Sequence, residues 1–556
     1  MTTGMIPPQP VPAPPQSDDE VRQLRYEHDL LGERAVADDC YYGVHTLRAM
    51  ENFAITGTAI SAYPALVTAL ACVKQAAALA NREVGLLEPD KADAIIRACE
   101  EIRAGALHDQ FVTDVIQGGA GTSTNMNANE VIANRALEHL GHPKGSYEHL
   151  HPLEHVNAGQ STNDVYPTAG KIALHFGARD LHDAMEALQK AFSAKAIEFA
   201  DILKVGRTQL QDAVPMTLGQ EFAAYAVMLQ EDRERLTEAC ELIQEINLGG
   251  TAIGTGLNAH PRYAGLACRH LTTITGFPLS TADDLVEATQ DAGAFVQLSG
   301  VLKRIAVKLS KTCNDLRLLS SGPRAGFGEI VLPPVQAGSS IMPGKVNPVI
   351  PEVVNQIAYE VIGNDVTVTF AAEAGQLQLN AFEPVIVHSL LKSLTHLRAG
   401  CLTLAERCIS GITANREHLA RQVGRSIGLA TALNPHIGYE QATAVAQEAL
   451  LSGASVYDLV LDKGLLSREQ LGEILHPRNL ACPGSAESAA KPARHTDLQS
   501  SGEADARQAH PGRRRLGNEC TICDDWGTLV PGDGQNGTVP CPYCRRGRET
   551  VTTSEV

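Results

Sequence analysis

Gly338-Ser339-Ser340-Ile341-Met342-Pro343-Gly344-Lys345-Val346-Asn347-Pro348 sets two hydroxyls, one cation and one amide among two glycines and two prolines. Proline fixes φ and removes an N–H, and glycine loosens the backbone, so a loop is expected here rather than a helix or strand. Ser339 and Ser340 then ride on a segment able to close over a bound molecule. Lys345 offers a positive charge and Asn347 offers hydrogen-bond donors, both suited to a carboxylate. On its own the stretch also fits an ordinary surface turn.

Three further stretches have the same character: Gly118-Gly119-Ala120-Gly121-Thr122-Ser123-Thr124-Asn125-Met126-Asn127, Gly159-Gln160-Ser161-Thr162-Asn163-Asp164 and Gly206-Arg207-Thr208-Gln209-Leu210-Gln211-Asp212. Each alone reads as a helix cap or turn, because Ser, Thr and Asn favour such positions for local reasons. Four together, rich in hydroxyls and amides and poor in titrating groups, point to one shared chemistry.

These motifs resemble those of the fumarase/aspartase superfamily. So do Glu27-His28-Asp29-Leu30-Leu31-Gly32, Tyr42-Gly43-Val44-His45-Thr46-Leu47-Arg48, Gly249-Gly250-Thr251-Ala252-Ile253-Gly254-Thr255-Gly256-Leu257-Asn258 and Ala372-Glu373-Ala374-Gly375-Gln376-Leu377-Gln378-Leu379-Asn380. The likeness runs from about residue 25 to about residue 480. Val349-Ile350-Pro351-Glu352-Val353-Val354-Asn355-Gln356 and Gly121-Thr122-Ser123 look like the aspartase branch, and Gln209 stands where similar fumarases carry His.

The resemblance implies reversible anti elimination of ammonia from L-aspartate to give fumarate, with no cofactor for catalysis. It implies Ser339 as the catalytic base, and Thr122, Ser161, Thr162 and Ser340 around the β-carboxylate. Asn163 and Thr208 fall near the amino group and α-carboxylate, Lys345 and Asn347 hold the α-carboxylate, and Arg48 adds a second positive charge. It also implies a homotetramer whose active sites are each shared by three subunits. Gln209 cannot titrate, so it orients an ammonium or amide only by hydrogen bonding. His151 and His155 read as cap or supporting histidines. Fumarate hydratase is the nearest rival reading, and a lyase fold used as a non-enzymatic scaffold is the third.

Composition agrees with a large mainly α enzyme. The 556 residues are 44% hydrophobic but only 4% aromatic, which suits close helix packing around Ala, Leu, Ile and Val. A net charge of −18 argues against nucleic acid as a main partner. The sequence offers no signal peptide and no run of about 18 uninterrupted apolar residues to span a membrane. Nine cysteines scattered from Cys40 to Cys482 without paired spacing suit a reducing cytoplasm.

Phe295, Leu298, Leu302, Ile305, Leu309, Cys313 and Leu316 recur at steps of three and four, predicting a long helix. Further long helices are expected near 177–201, 215–247 and 352–371, as in a bundle of long antiparallel helices.

The expected organisation is a disordered Pro-rich tail (1–24), an N-terminal lyase domain (25–160), a central long-helix bundle (161–412) and a small C-terminal lyase domain (413–482). A flexible linker (483–515) and a zinc-ribbon-like module (516–548) follow. In that module Cys520-Thr521-Ile522-Cys523 and Cys541-Pro542-Tyr543-Cys544 form two CxxC knuckles. Four thiolates at this spacing suit tetrahedral zinc in a structural role.

Overall fold

The central helices are long because little in them stops a helix and one face of each is apolar. α5 (Thr162–Glu198), α6 (Leu218–Leu242), α9 (Gly293–Leu319), α10 (Val349–Glu373) and α11 (Glu383–Arg407) span 37, 25, 27, 25 and 25 residues. They are preceded by α1 (Val44–Asn52), α2 (Pro64–Glu83), α3 (Pro89–Arg103) and α4 (Thr122–His139), while α7 (Tyr263–Thr275) and α8 (Leu285–Gln290) lie between α6 and α9. This computed structural model describes residues 23–476, Asn479 and two short strands nearer the C-terminus.

Side-chain pairings fix the directions of the five long helices. Arg233 donates to Gln189, and Phe192 packs on Tyr225, so α5 and α6 are antiparallel. Tyr225 donates to Asp315 and Lys308 to Glu231, which runs α9 antiparallel to α6. Asn355 donates to Ser310 and Ser299 to Asp365, reversing the chain again into α10. α11 runs parallel to α5: a Cβ on Gly170 would meet Val387, and one on Gly177 would meet Leu394. The bundle therefore has a near end, where α5, α9 and α11 begin, and a far end, where they stop. At about 1.5 Å per residue α5 separates the two ends by roughly 55 Å.

All seven residues of the apolar stripe on α9 are buried. The other expected helices form with shifted ends. α5 starts at Thr162 rather than near 177, running straight through Pro167 and Gly170. Both residues read as breakers locally, yet both are buried, and Gly170 is where Val387 comes closest, 2.9 Å from a would-be Cβ. Packing overrides propensity there. α6 begins only at Leu218, because β4 (Gln211–Thr217) pairs with β3 (Leu203–Thr208) and Thr217 caps the helix.

Most buried apolar side chains form one continuous core through α2 to α11. α2 is long and apolar enough by composition to cross a membrane, but 78% of that window is buried within the protein. A second, smaller core joins Val205 to α12 (Arg416–Arg425), α13 (Leu429–Ile437), α14 (Tyr439–Ser452), α15 (Val456–Asp462) and α16 (Arg468–Ile474). At the N-terminus β1 (Leu24–Asp29) and β2 (Gly32–Ala37) form a hairpin.

The eight cysteines among the described residues are all free. A second unit, Glu487–Val556, contributes the antiparallel strands Thr528–Leu529 and Val539–Pro540, which fall between the two CxxC pairs in sequence. Cys520, Cys523, Cys541 and Cys544 lie outside the described residues, as do residues 1–22 of the Pro-rich tail and the whole of the linker 483–515.

Candidate active site

At the near end two helix N-termini lie side by side. α4 starts after Gly121, whose φ of 89° is in the left-handed region. A Cβ on Gly121 would fall 2.4 Å from the ring of Tyr166 on α5, so glycine is what lets the two helices approach. Thr122, the first residue of α4, donates its hydroxyl to Gly119 O at 2.7 Å. α5 opens with a capping box, in which Ser161 Oγ accepts from Asn163 N and Asp164 Oδ1 accepts from Ser161 N at 2.9 Å. Asn125, one turn into α4, donates to Thr162 Oγ1 at 3.0 Å and ties the two starts together. Thr122, Ser161, Thr162 and Asn163 thus share one region, where two positive helix ends favour an anion.

Buried charges hold this region in shape. Asp164 Oδ2 accepts from Gly249 N at 2.9 Å and Thr251 N at 3.0 Å, and Asn163 Nδ2 donates to Ala252 O at 2.6 Å. The glycine-rich stretch at 249–258 is therefore docked on the start of α5. Burial pushes the Asp164 carboxyl up to about 6, against the pull of its three N–H donors. Lys74, fully enclosed on α2, donates to Asn157 Oδ1 at 2.8 Å and Gln160 Oε1 at 2.9 Å, and burial lowers it to about 7. Sequence reasoning gave no role to Lys74, Asp164, Asn125 or Asn157. The one available signal was a lone lysine inside the apolar run 66–80.

The remaining candidates sit elsewhere. Residues 338–348 form the expected loop between the short strand Ile330–Val331 and α10. Its ends are pinned by Gly338 N to Lys345 O and Asn347 Nδ2 to Gly338 O, each 2.8 Å. A Cβ on Gly338 would meet Asn347 N and Lys345 O at 2.7 Å. Ser339 Oγ accepts from Met342 N at 2.9 Å and Ile341 N at 3.2 Å. Ser340 and Lys345 are exposed, and Lys345 makes no ion pair among the described residues. Thr208 and Gln209 are exposed at the tip of the β3–β4 hairpin. Both this hairpin and the loop belong to the far end, since β3 follows α5 and the loop precedes α10.

Arg48 lies on α1, clamped by Asp29 at 2.7 and 2.9 Å, so its charge is already balanced. His151 Nδ1 accepts from Leu153 N and Glu154 N, and His155 Nδ1 accepts from His151 N, so both act as backbone caps.

One chain therefore holds its hydroxyl-lined anion region and its serine loop at opposite ends of a helix of roughly 55 Å. Sequence-family models match residues 32–363 as a lyase and residues 429–482 as the fumarase C C-terminus. A solved fumarate lyase:delta crystallin from Brucella melitensis is 57% identical with a TM-score of 0.80, covering 83% of this chain and 100% of that one. The chain belongs to the fumarase/aspartase family of lyases. Within it the chain groups with the aspartate ammonia-lyases: that of Helicobacter pylori strain J99 is 56% identical over 460 residues, 83% of this chain and 98% of the relative. A class II fumarase from Schistosoma mansoni shares the fold at TM-score 0.78 but only 34% of the sequence, over 83% of this chain and 100% of that one.

Proposed function

We propose that this chain is an aspartate ammonia-lyase that eliminates ammonia from L-aspartate reversibly to give fumarate, with Ser339 as base. The observation that carries the role of Ser339 is the pair of backbone N–H groups donated to its Oγ by Ile341 and Met342. A serine hydroxyl is a weak base, and donors aimed at its oxygen favour the alkoxide. The proton removed is only weakly acidic, and its electrons pass into the neighbouring β-carboxylate. An aci-carboxylate carrying two negative charges results, and no redox or imine cofactor is needed for that step. Thr122, Ser161 and Thr162 at the paired helix starts, with Ser340, would stabilise it.

Lys345 and Asn347 hold the α-carboxylate, and Asn163 and Thr208 lie near the amino group and α-carboxylate. Arg48 takes second place as a cation because Asp29 already neutralises it. Gln209 orients the leaving ammonia without titrating, which favours deamination over hydration.

Because these groups occupy both ends of the bundle, we infer that a homotetramer assembles each site from three chains. An uncovered apolar stripe on α10 supports this: Tyr359, Val366 and Phe370 share one helical face at 58, 51 and 69% exposure. The opposite face, with Val354, Ala358, Val361 and Val368, is buried. The free cysteines fit a cytoplasmic enzyme. The C-terminal cysteines, as four thiolates, suit one structural zinc ion that plays no part in catalysis.

The test mixes two inactive variants, Ser339→Ala and Thr162→Ala, after dissociation and reassembly, and follows fumarate absorbance with aspartate, malate and argininosuccinate offered separately. Recovery of aspartate deamination in the mixture is expected. No recovery from two variants that each form intact tetramers would sink the shared site, and turnover of malate alone would replace the ammonia-lyase by a hydratase.

A further inference from the structure

Two far-end elements, the β3–β4 hairpin and the loop 338–348, meet the substrate in the reading above, yet neither is stiff by itself. The hairpin closes through two residues, Gln209 and Leu210, with φ of 54° and 61°. Non-glycine residues in the left-handed region persist only where their surroundings impose it. The loop is exposed over most of its length. Something must hold both in a common frame.

Glu329 is fully buried, one residue before the short strand Ile330–Val331 that leads toward the loop. Its Oε1 accepts from Arg207 Nη1 on β3, and its Oε2 lies 2.9 Å from Lys204 Nζ on the same strand. The Lys204 contact is off the hydrogen-bond direction, so it is a charge pairing that leaves Oε2 without an aligned donor. Lys204 in turn meets Glu221 on α6, and the Arg207 guanidinium lies 4.4 Å from the ring centre of Phe327. The backbone of Glu329 is fixed as well, by Glu329 N to Leu319 O and Asn415 N to Glu329 O, each 2.9 Å.

Residues 204 and 207 should point to opposite faces of a regular strand, because their separation is odd. The register shift between Val205 and Arg207 sets Gly206 alone against Ala213 and Val214, so β4 carries the extra residue, and at this irregularity both cations of β3 reach the same carboxylate. A side chain at 206 would run into Val214 O at 2.9 Å, so the residue that faces the bulge has to be glycine.

We propose that Glu329 is a positioning residue: it fastens the hairpin bearing Thr208 and Gln209 to the segment that leads into the Ser339 loop, so that one chain delivers both as a single rigid corner. The proposal rests on the site roles given to Thr208 and Ser340. The near-end groups do not depend on Glu329, but Lys345 and Asn347 on the loop do, so its loss should lower turnover and weaken substrate saturation together.

The experiment compares Glu329→Gln in three backgrounds, the otherwise unchanged chain, Thr208→Ala and Ser340→Ala, measuring kcat and KM for aspartate on material confirmed as assembled. The expected result is a kcat loss of about 100-fold in the unchanged background, as for a misplacement near 1 Å. KM should rise as well, because Lys345 and Asn347 ride on the same loop, and the further kcat loss in the Thr208→Ala or Ser340→Ala background should be less than about tenfold, since the partner no longer needs placing. Equal losses in all three backgrounds, a loss confined to KM, or no loss would overturn the proposal. Thr208→Ala and Ser340→Ala measured alone judge the roles of those residues separately. Should Glu329→Gln not fold, Arg207→Gln retains the Lys204 contact and should show a smaller kcat loss with the same non-additivity. Additive losses in that series would overturn the proposal equally.

Discussion

Replacing Gly121 by alanine tests the joint between α4 and α5 with a single methyl group. The added Cβ would sit 2.4 Å from Cδ2 and Cγ of Tyr166 and 2.9 Å from Cδ1. Carbon atoms prefer about 3.5–4.0 Å, so the overlap is roughly 1 Å against a ring that is 2% exposed and has no space to yield. Overpacking of this kind costs about 1–3 kcal/mol. Holding alanine at the φ of 89° observed for Gly121 adds about 1–2 kcal/mol. A loss of about 2–5 kcal/mol is therefore expected, unless the helix starts separate. Separation would stretch the Asn125 to Thr162 hydrogen bond and move Thr122 away from Ser161 and Thr162, so turnover should fall whichever way the strain relaxes. The assay pairs the thermal midpoint with the rate of fumarate formation. Gly265→Ala serves as the internal comparison: it lies inside α7 with nothing within 4 Å of its Cβ, and should be neutral or stabilising by up to about 1 kcal/mol. If Gly121→Ala matched Gly265→Ala in both midpoint and turnover, the reasoning about this joint would be wrong.

Asp164→Asn should lower the thermal midpoint by the equivalent of about 1–3 kcal/mol, because an amide cannot accept from Ser161 N, Gly249 N and Thr251 N together; an unchanged midpoint would show that those bonds contribute nothing. The His45 imidazole is raised above its ordinary value chiefly by its hydrogen bond to Glu130. Its contribution is therefore fully present below about pH 6.5 and is lost as pH rises through the higher folded value. His45→Gln should trail the parent in midpoint at about pH 6 and draw level by about pH 9, and a gap that widened with pH would contradict the sign. Truncation near residue 485 should preserve deamination while lowering bound zinc from about one ion per chain to none, because the proposed four-thiolate site lies downstream in sequence of every residue proposed for the active site. A tetrameric but inactive truncate would refute that division.

What could be read in the sequence was whatever depends on near neighbours. The α9 stripe is a periodicity of three and four, and the loop at 338–348 follows from two glycines and two prolines within eleven residues. The start of α5 was hidden for the converse reason. Pro167 and Gly170 argue locally for a break, and only Val387, more than two hundred residues away, shows why a glycine is wanted inside that helix. Lys74 and Asp164 were invisible as site residues because a charge is kept inside a protein by partners, and theirs come from other segments. Asn157 and Gln160 answer the lysine, and Gly249 and Thr251 answer the aspartate.

The same distinction explains why the polar motifs could be recognised long before their geometry could be drawn. Each motif is a helix start, a hairpin tip or a loop, and its composition announces that local shape. Their separation is set by the length of α5, whose 37 residues put the paired helix starts and the Ser339 loop at opposite ends of one protomer. In the shared site proposed above, such groups meet when the long helix lies against another copy whose ends are reversed, which an antiparallel pairing of bundles would supply. The exposed face of α10 is where apolar surface remains for that pairing. In the proposed tetramer, chain length, apolar stripe and divided chemistry are one solution: the helices that keep the two halves of the site apart within a protomer would be the surface that joins them between protomers.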